Sequence, residues 1–300
     1  MKKSIEIINI TPRGYCNGVV TAIKMINDLL ESKQYKKPLY MYGKLVHNAH
    51  VTNALISKGI IMIDDYSNIC DGTIIITAHG LSKKEQNIIL SKGIDIIDTT
   101  CKEVTKIQNV VKEKVDEGYI VLYYGKNNHP EAKAVLNDND NVFLVNNKQD
   151  VLDLNIDCNE KIFFTNQTTM SYFDTLEIMK VIKEKFNNVD VNIDICTASK
   201  RRQIAVYNEA RKCDIVLIIG DKSSNNTAKL KEISESFGIK SYLIENIEDL
   251  KNIEITNNIK IGITAGSSTP NKLVDEVIKT LNDEEYISNI TDIDYITFWL

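Results

Sequence analysis

The stretch IIDTTCKEVT, residues 96–105, reads as an apolar run, a polar break and a cysteine at the mouth of a helix. A cysteine used only as a small hydrophobe belongs inside the run, not at its polar exit. The same order of strand, cysteine and helix recurs in ITPRGYCNGVV around Cys16 and in VNIDICTASKRRQ around Cys196, at nearly equal intervals. Outward from these points, apolar runs alternate with amphipathic segments along the whole chain. IEIINI, PLYMYG, GTIIITA, DIIDTT, YIVLYYG, KIFFTN, VDVNIDIC, DIVLIIG, SYLIE and IKIGITAG are rich in Ile, Val and Tyr. Several are apolar without alternation, as in strands covered on both faces. TAIKMINDLLESK, VTKIQNVVKEKVDEG and TLEIMKVIKEKF between them have helical patterning. Strands alternating with helices predict an α/β class with mostly parallel sheets. The recurrence predicts three similar α/β domains, over 1–100, 101–195 and 196–284, each opening with strand, cysteine and helix. The tail, 285–300, is expected to return over the body as a strand.

The chain has 300 residues and is 43% hydrophobic, enough to bury a substantial core. A net charge of −5 with both signs interspersed excludes nucleic-acid binding as the main role, which needs a basic footprint. No apolar run reaches the length of a membrane span. The opening MKKSIEIINI is interrupted by Glu6 and Asn9 and reads as a strand, not a signal peptide. A cytoplasmic protein, with no nucleic-acid or membrane partner, is the expectation. The six cysteines, at 16, 70, 101, 158, 196 and 213, do not form a disulfide framework in that setting. No CxxC pair is present, which excludes a zinc ribbon or thioredoxin-type site.

Ligands of open α/β sheets sit beyond the carboxyl ends of strands, at helix N-termini. There the sequence places His47 at the start of a helical segment, His79 and Gly80 after a strand, and His129, Pro130 and Glu131 where a helix begins. Gln167, Thr168 and Thr169, then Ser223, Ser224, Asn225 and Asn226, then Ser267, Ser268 and Thr269 occupy similar positions. Any one cluster is explained as a helix cap. Consecutive hydroxyls and amides exceed what one cap needs, and with imidazoles they suit a phosphate or diphosphate. His50, three residues after His47, would share its helical face, and spacing does not choose between them. No Walker A or GxGxxG is present, so a nucleotide is not indicated. For the dispersed cysteines three readings stand: zinc with a histidine, an iron–sulfur cluster, or small core residues.

The motifs TPRGYCNGVV, LVHNAHV, TAHGLS, DTTCKEVTK, GKNNHPEAKA, TNQTTMS, DICTASKRRQ, GDKSSNNTAKL and TAGSSTP occur in this order over nearly the whole chain. In combination they resemble the 4-hydroxy-3-methylbut-2-enyl diphosphate reductases, which close the methylerythritol phosphate route to isoprenoids. The resemblance implies three domains around a central cleft, with one 4Fe–4S cluster held there by Cys16, Cys101 and Cys196 and its fourth iron open to substrate. It assigns the diphosphate to His47, His79, Ser224, Asn226 and Ser268, with Asn225 beside them, and places His129, Glu131 and Thr168 at the allylic alcohol. Glu131 is the implied proton relay, and reduced ferredoxin or flavodoxin the implied electron donor. His50, Cys70, Cys158 and Cys213 stay structural. Lys102 stands where proline is common in the family, and Asn128 where glycine is common. Two rival readings use the same residues: a zinc-dependent hydrolase or lyase of a phosphorylated molecule, and a non-catalytic anion-binding module.

Overall fold

The computed structural model of the protein describes residues 5–282. In chain order, β1 (Ile5–Asn9) leads into α1 (Asn17–Ser32). Next come β2 (Leu39–Tyr42), α2 (Ala49–Ser57), β3 (Ile61–Ile63), β4 (Thr73–Ile76), α3 (Lys83–Ser91) and β5 (Asp95–Asp98). A third run comprises α4 (Lys102–Asp116), β6 (Ile120–Tyr124), α5 (Pro130–Asp138), β7 (Val142–Val145), α6 (Lys148–Asp153), β8 (Lys161–Asn166), α7 (Tyr172–Lys185) and β9 (Asn188–Val191). The last holds α8 (Thr197–Glu209), β10 (Ile215–Ile219), α9 (Asn225–Glu235), β11 (Lys240–Ile244), β12 (Ile259–Ala265) and α10 (Asn271–Asn282).

The strands form three four-stranded sheets, ordered β3-β2-β4-β5, β7-β6-β8-β9 and β11-β10-β12-β1, with every pairing parallel. The order is the same each time: second strand, first, third, fourth. In the last sheet the fourth place is taken by β1, from the other end of the chain, with Ile5 opposite Ile259 and Asn9 opposite Ile263. The three sheets therefore do not follow three consecutive spans. A strand–cysteine pair thus ends each structural repeat instead of opening it: β5 leads to Cys101, β9 to Cys196 and β1 to Cys16. β3 and β7, absent from the strands expected, are edge strands with one neighbour each. The expected strand of the tail lies outside the described residues.

By its contacts the chain falls into two compact units. One takes in Val46–Ser57 and, of the described residues, those up to Val20 and from Thr197 onward. It holds the β1–β12–β10–β11 sheet, in which all five residues of β10 are buried. Ile259, Ile261 and Ile263 of β12 pack with Leu273, Val274 and Val277 of α10. Each such aliphatic side chain contributes roughly 1.5–3 kcal/mol on burial. The other unit takes in Thr21–Leu45 and Lys58–Cys196 and holds the remaining two sheets. Helices cover both faces of the β6–β9 sheet: Ile107, Val111 and Val135 meet Val121 and Tyr123 on one side, and Ile178 and Ile182 meet Leu122 and Phe164 on the other. Hence β6, at the centre of that sheet, reads as an unbroken apolar run.

Candidate active site

In each sheet the chain passes from the first strand to the edge beside it, then returns to the other side for the third strand. Ligand sites of open α/β sheets form at that reversal, in the loops after the first and third strands. These loops carry the expected residues every time. His47 follows β2 and His79 follows β4; His129 and Glu131 follow β6 and Thr168 follows β8; Ser224–Asn226 follow β10 and Ser268 follows β12.

The cysteines follow the fourth strands. Cys16 and Cys196 immediately precede α1 and α8, and Cys101 is the N-cap of α4. Each cysteine amide donates to a carbonyl two residues past the end of the third strand: Cys101 to Ala78 at 3.0 Å, Cys196 to Thr168 at 3.0 Å, and Cys16 to Ser267 at 3.1 Å. One backbone bond thus ties each cysteine to a loop bearing a candidate ligand residue. All three are partly buried thiols at helix N-termini, and sulfur is a soft ligand atom for a metal. Thiols of this kind fit the ligands of an iron–sulfur cluster. Cys70 and Cys158 are exposed, and no disulfide joins any of the six. Burial pushes the Cys213 thiol up to about 11. It packs over Gly262, where a side chain would strike its sulfur, so its role is packing.

In the second unit, Glu131 sits in the first turn of α5 and is 1% exposed. Its Oε1 accepts the Thr168 amide at 2.7 Å, and its Oε2 accepts the Thr168 hydroxyl at 2.9 Å. Burial raises the carboxyl to about 7, while the donors from Thr168 and from the Tyr123 hydroxyl pull it down. His129 caps α5 through Nδ1, which accepts the Glu131 amide at 3.2 Å. That acceptance requires an unprotonated Nδ1, so any ring proton of neutral His129 is on Nε2. The ring of His79 meets that of His129 edge to face, centroids 5.4 Å apart. Asn128, just before this cap, has φ +62, a left-handed conformation that asparagine tolerates. It keeps the backbone a glycine would adopt. Lys102 is the first residue of α4, a position equally suited to proline.

In the first unit, Ser224 caps α9, and Asn225 and Asn226 fill the first helical positions, all three buried. Neither side-chain polar atom of Asn226 has a hydrogen-bond partner. A buried, unsatisfied amide at a helix N-terminus fits an anionic oxygen. Ser268 Oγ donates to the His47 carbonyl at 3.0 Å, and Ser223 Oγ lies 3.3 Å from His47 Nδ1. His47 stands before α2, not within it, so it does not share a helical face with His50. His50 Nε2 donates to the Glu245 carbonyl at 3.2 Å, in keeping with a structural role. Gln167 and Thr169 bond each other at 3.0 Å, and Thr269 donates to the Ile219 carbonyl.

Two residues escaped the reading of the sequence. Arg202, in the DICTASKRRQ motif, is 4% exposed and donates to the carbonyls of Ala198 and Gly14, bracing the loop before Cys16. Tyr123 lies inside a strand and reaches Glu131 at 3.3 Å. The only signal for it was a phenol within a wholly apolar run.

A family model described as LytB protein matches residues 7–282. A curated 4-hydroxy-3-methylbut-2-enyl diphosphate reductase of Shouchella clausii is 40% identical over 282 residues, covering 91% of this chain and 90% of the relative. The enzyme of that name from Bacillus subtilis is 39% identical over 291 residues, covering 94% and 92%. A solved E-1-hydroxy-2-methyl-but-2-enyl-4-diphosphate reductase from Plasmodium falciparum superposes with a TM-score of 0.86 at 32% identity, covering 97% of this chain and 92% of that one. A second solved structure, described as the terminal enzyme of the non-mevalonate pathway, gives a TM-score of 0.64 at 28% identity, covering 96% and 100%.

Proposed function

Because the chain belongs to the LytB protein family, we propose that it reductively removes the hydroxyl of 4-hydroxy-3-methylbut-2-enyl diphosphate, giving isopentenyl and dimethylallyl diphosphate. The observation that carries this reading is the hydrogen bond repeated in all three sheets, from Cys16, Cys101 and Cys196 to the loops of Ser268, His79 and Thr168. We assign these cysteines to one 4Fe–4S cluster per chain, leaving the fourth iron without a protein ligand. When bound, the cluster supplies two electrons, one at a time, and a Lewis acid for the alcohol oxygen.

The other duties fall to side chains. Ser224, Asn225 and Asn226 offer the N-terminus of α9 to the diphosphate, with Ser268, His47 and His79 as further donors. His129 and Thr168 orient the alcohol. Two electrons and two protons convert the C–OH to C–H and water, and Glu131 holds a proton for the departing hydroxyl. A carboxyl near 7 is matched to that task at neutral pH. The sequence carries no nicotinamide or flavin motif, so reduced ferredoxin or flavodoxin in the cytoplasm is the proposed electron source.

Purification without oxygen tests the reading. Brown protein containing iron and sulfide, converting the substrate to both products with a chemical one-electron reductant, supports it. Colourless zinc protein that hydrolyses phosphorylated molecules would establish the hydrolase or lyase instead, and metal-free protein that only binds anions would establish a binding module.

A further inference from the structure

Tyr123 is fully buried in β6, its ring packed in the core formed with α4 and α5. Its hydroxyl donates to Glu131 Oε1 at 3.3 Å, the same oxygen that accepts the Thr168 amide at 2.7 Å. A carboxylate oxygen has two lone-pair sites, so Oε1 has a donor on each. An amide cannot reverse to accept a proton. Oε2 differs, since its partner at 2.9 Å is the Thr168 hydroxyl, which donates or accepts by rotating.

We propose that Tyr123 is a positioning residue which, with the Thr168 amide, confines the transferable proton of Glu131 to Oε2, against the Thr168 hydroxyl. This rests on the proton role given to Glu131 above. The proton on Oε2 passes to Thr168 Oγ1 as that hydroxyl gives its own proton to the leaving oxygen, which departs as water. The carboxylate left behind keeps its three donors and recovers a proton from solvent water. If the phenol merely satisfied itself in the core, its loss would cost stability but would not alter where or when Glu131 protonates.

The surroundings make the pair isolable. Among the described residues, His129 meets Glu131 through its own cap, and His79 is stacked on His129. From α4 and β7 the facing side chains are Ile107, Val111 and Val142. The groups α3 brings to α5, Glu85 and the amides of Lys83 and Lys84, meet its far end at Asn137 and Asp138.

The test compares Tyr123→Phe with the parent holoenzyme in pH–rate profiles and in infrared titration of the carboxylic band that Glu131→Gln abolishes. The phenol donates to the charged form, so its removal raises the carboxyl's midpoint. We expect the basic limb and the infrared midpoint to move up together by about one pH unit, the scale of one hydrogen bond to a charged group. We also expect kcat to fall several-fold at unchanged KM, with iron content retained. A monofluorinated tyrosine at 123, a stronger donor of nearly the same shape, should move both midpoints down and needs no core repacking. Unmoved midpoints in both variants would overturn the proposal while leaving Glu131 as the relay. Near-normal turnover by Glu131→Gln would overturn the relay itself, and this inference with it.

Discussion

Burial is what makes Glu131 suited to the proton role proposed for it. At the first turn of α5 a carboxylate is welcome for the helix dipole alone, and apart from the family resemblance its local sequence offers no reason to read more. The fold adds seclusion from water, which raises the carboxyl to about 7. Glu131→Gln keeps shape and much of the hydrogen bonding yet cannot pass a proton. It is expected to bind cluster and substrate but turn over at least about 100-fold more slowly, measured in steady state. The same shift has a stability consequence. The folded carboxyl binds its proton more tightly than the unfolded one, whose reference value is 4.5, so the fold loses stability as pH rises from about 4.5 to 7 and levels off above. The loss amounts to about 3 kcal/mol, and denaturant midpoints across that window should flatten in Glu131→Gln. In the proposed anion pocket, Asn226→Ala and Ser268→Ala should each weaken substrate binding by about 1.5–3 kcal/mol while leaving cluster spectra intact. Unchanged KM in both would remove the pocket from this loop set.

At the scale of elements, the unit that matters is strand end, cysteine and helix start. Cys16, Cys101 and Cys196 share that setting and the same amide bond to a neighbouring loop; Cys70, Cys158 and Cys213 do not. Replacing any of the first three by serine should strip iron, because a hydroxyl is a poor ligand beside a thiolate. Alanine at any of the second three should leave iron content unchanged. Alkylation in cluster-free protein should reach exposed Cys70 and Cys158 first and Cys213 last, since the last is buried and held as the thiol. The turn before α5 makes a separate prediction. Asn128→Gly should be neutral, whereas Asn128→Val, a β-branched residue forced to φ near +62, should lower both stability and turnover by disturbing the His129 cap.

Over the whole molecule, the closing of the third sheet by β1 links the two ends of the described chain. Deleting residues through Ile10 removes a parallel partner from β12 and takes Ile5 and Ile7 from the core of that sheet. Limited proteolysis should then open 197–282, although the deletion lies far from it in sequence. Resistance equal to that of the parent would mean that β1 contributes little to that sheet.

Much was legible in the residues. Runs of Ile and Val without alternation marked strands buried on both faces, and polar residues at strand exits marked loops able to hold an anion, because both depend on local chemistry. The order of motifs likewise drew the cysteines, histidines and Glu131 into one proposed set. The short edges β3 and β7 were not visible, since three or four residues with one neighbour carry little pattern. Nor was the permuted repeat. It is written in backbone bonds from cysteine amides to carbonyls of Ala78, Thr168 and Ser267, and any side chain permits those. The sequence by itself determined which residues could do chemistry. Only the tertiary structure decided that β1 completes the third sheet, that Asn226 is left unsatisfied and that Tyr123 and Thr168 divide the two oxygens of Glu131 between them. These outcomes depend on strand pairing and burial between segments distant in the chain, which no local pattern encodes.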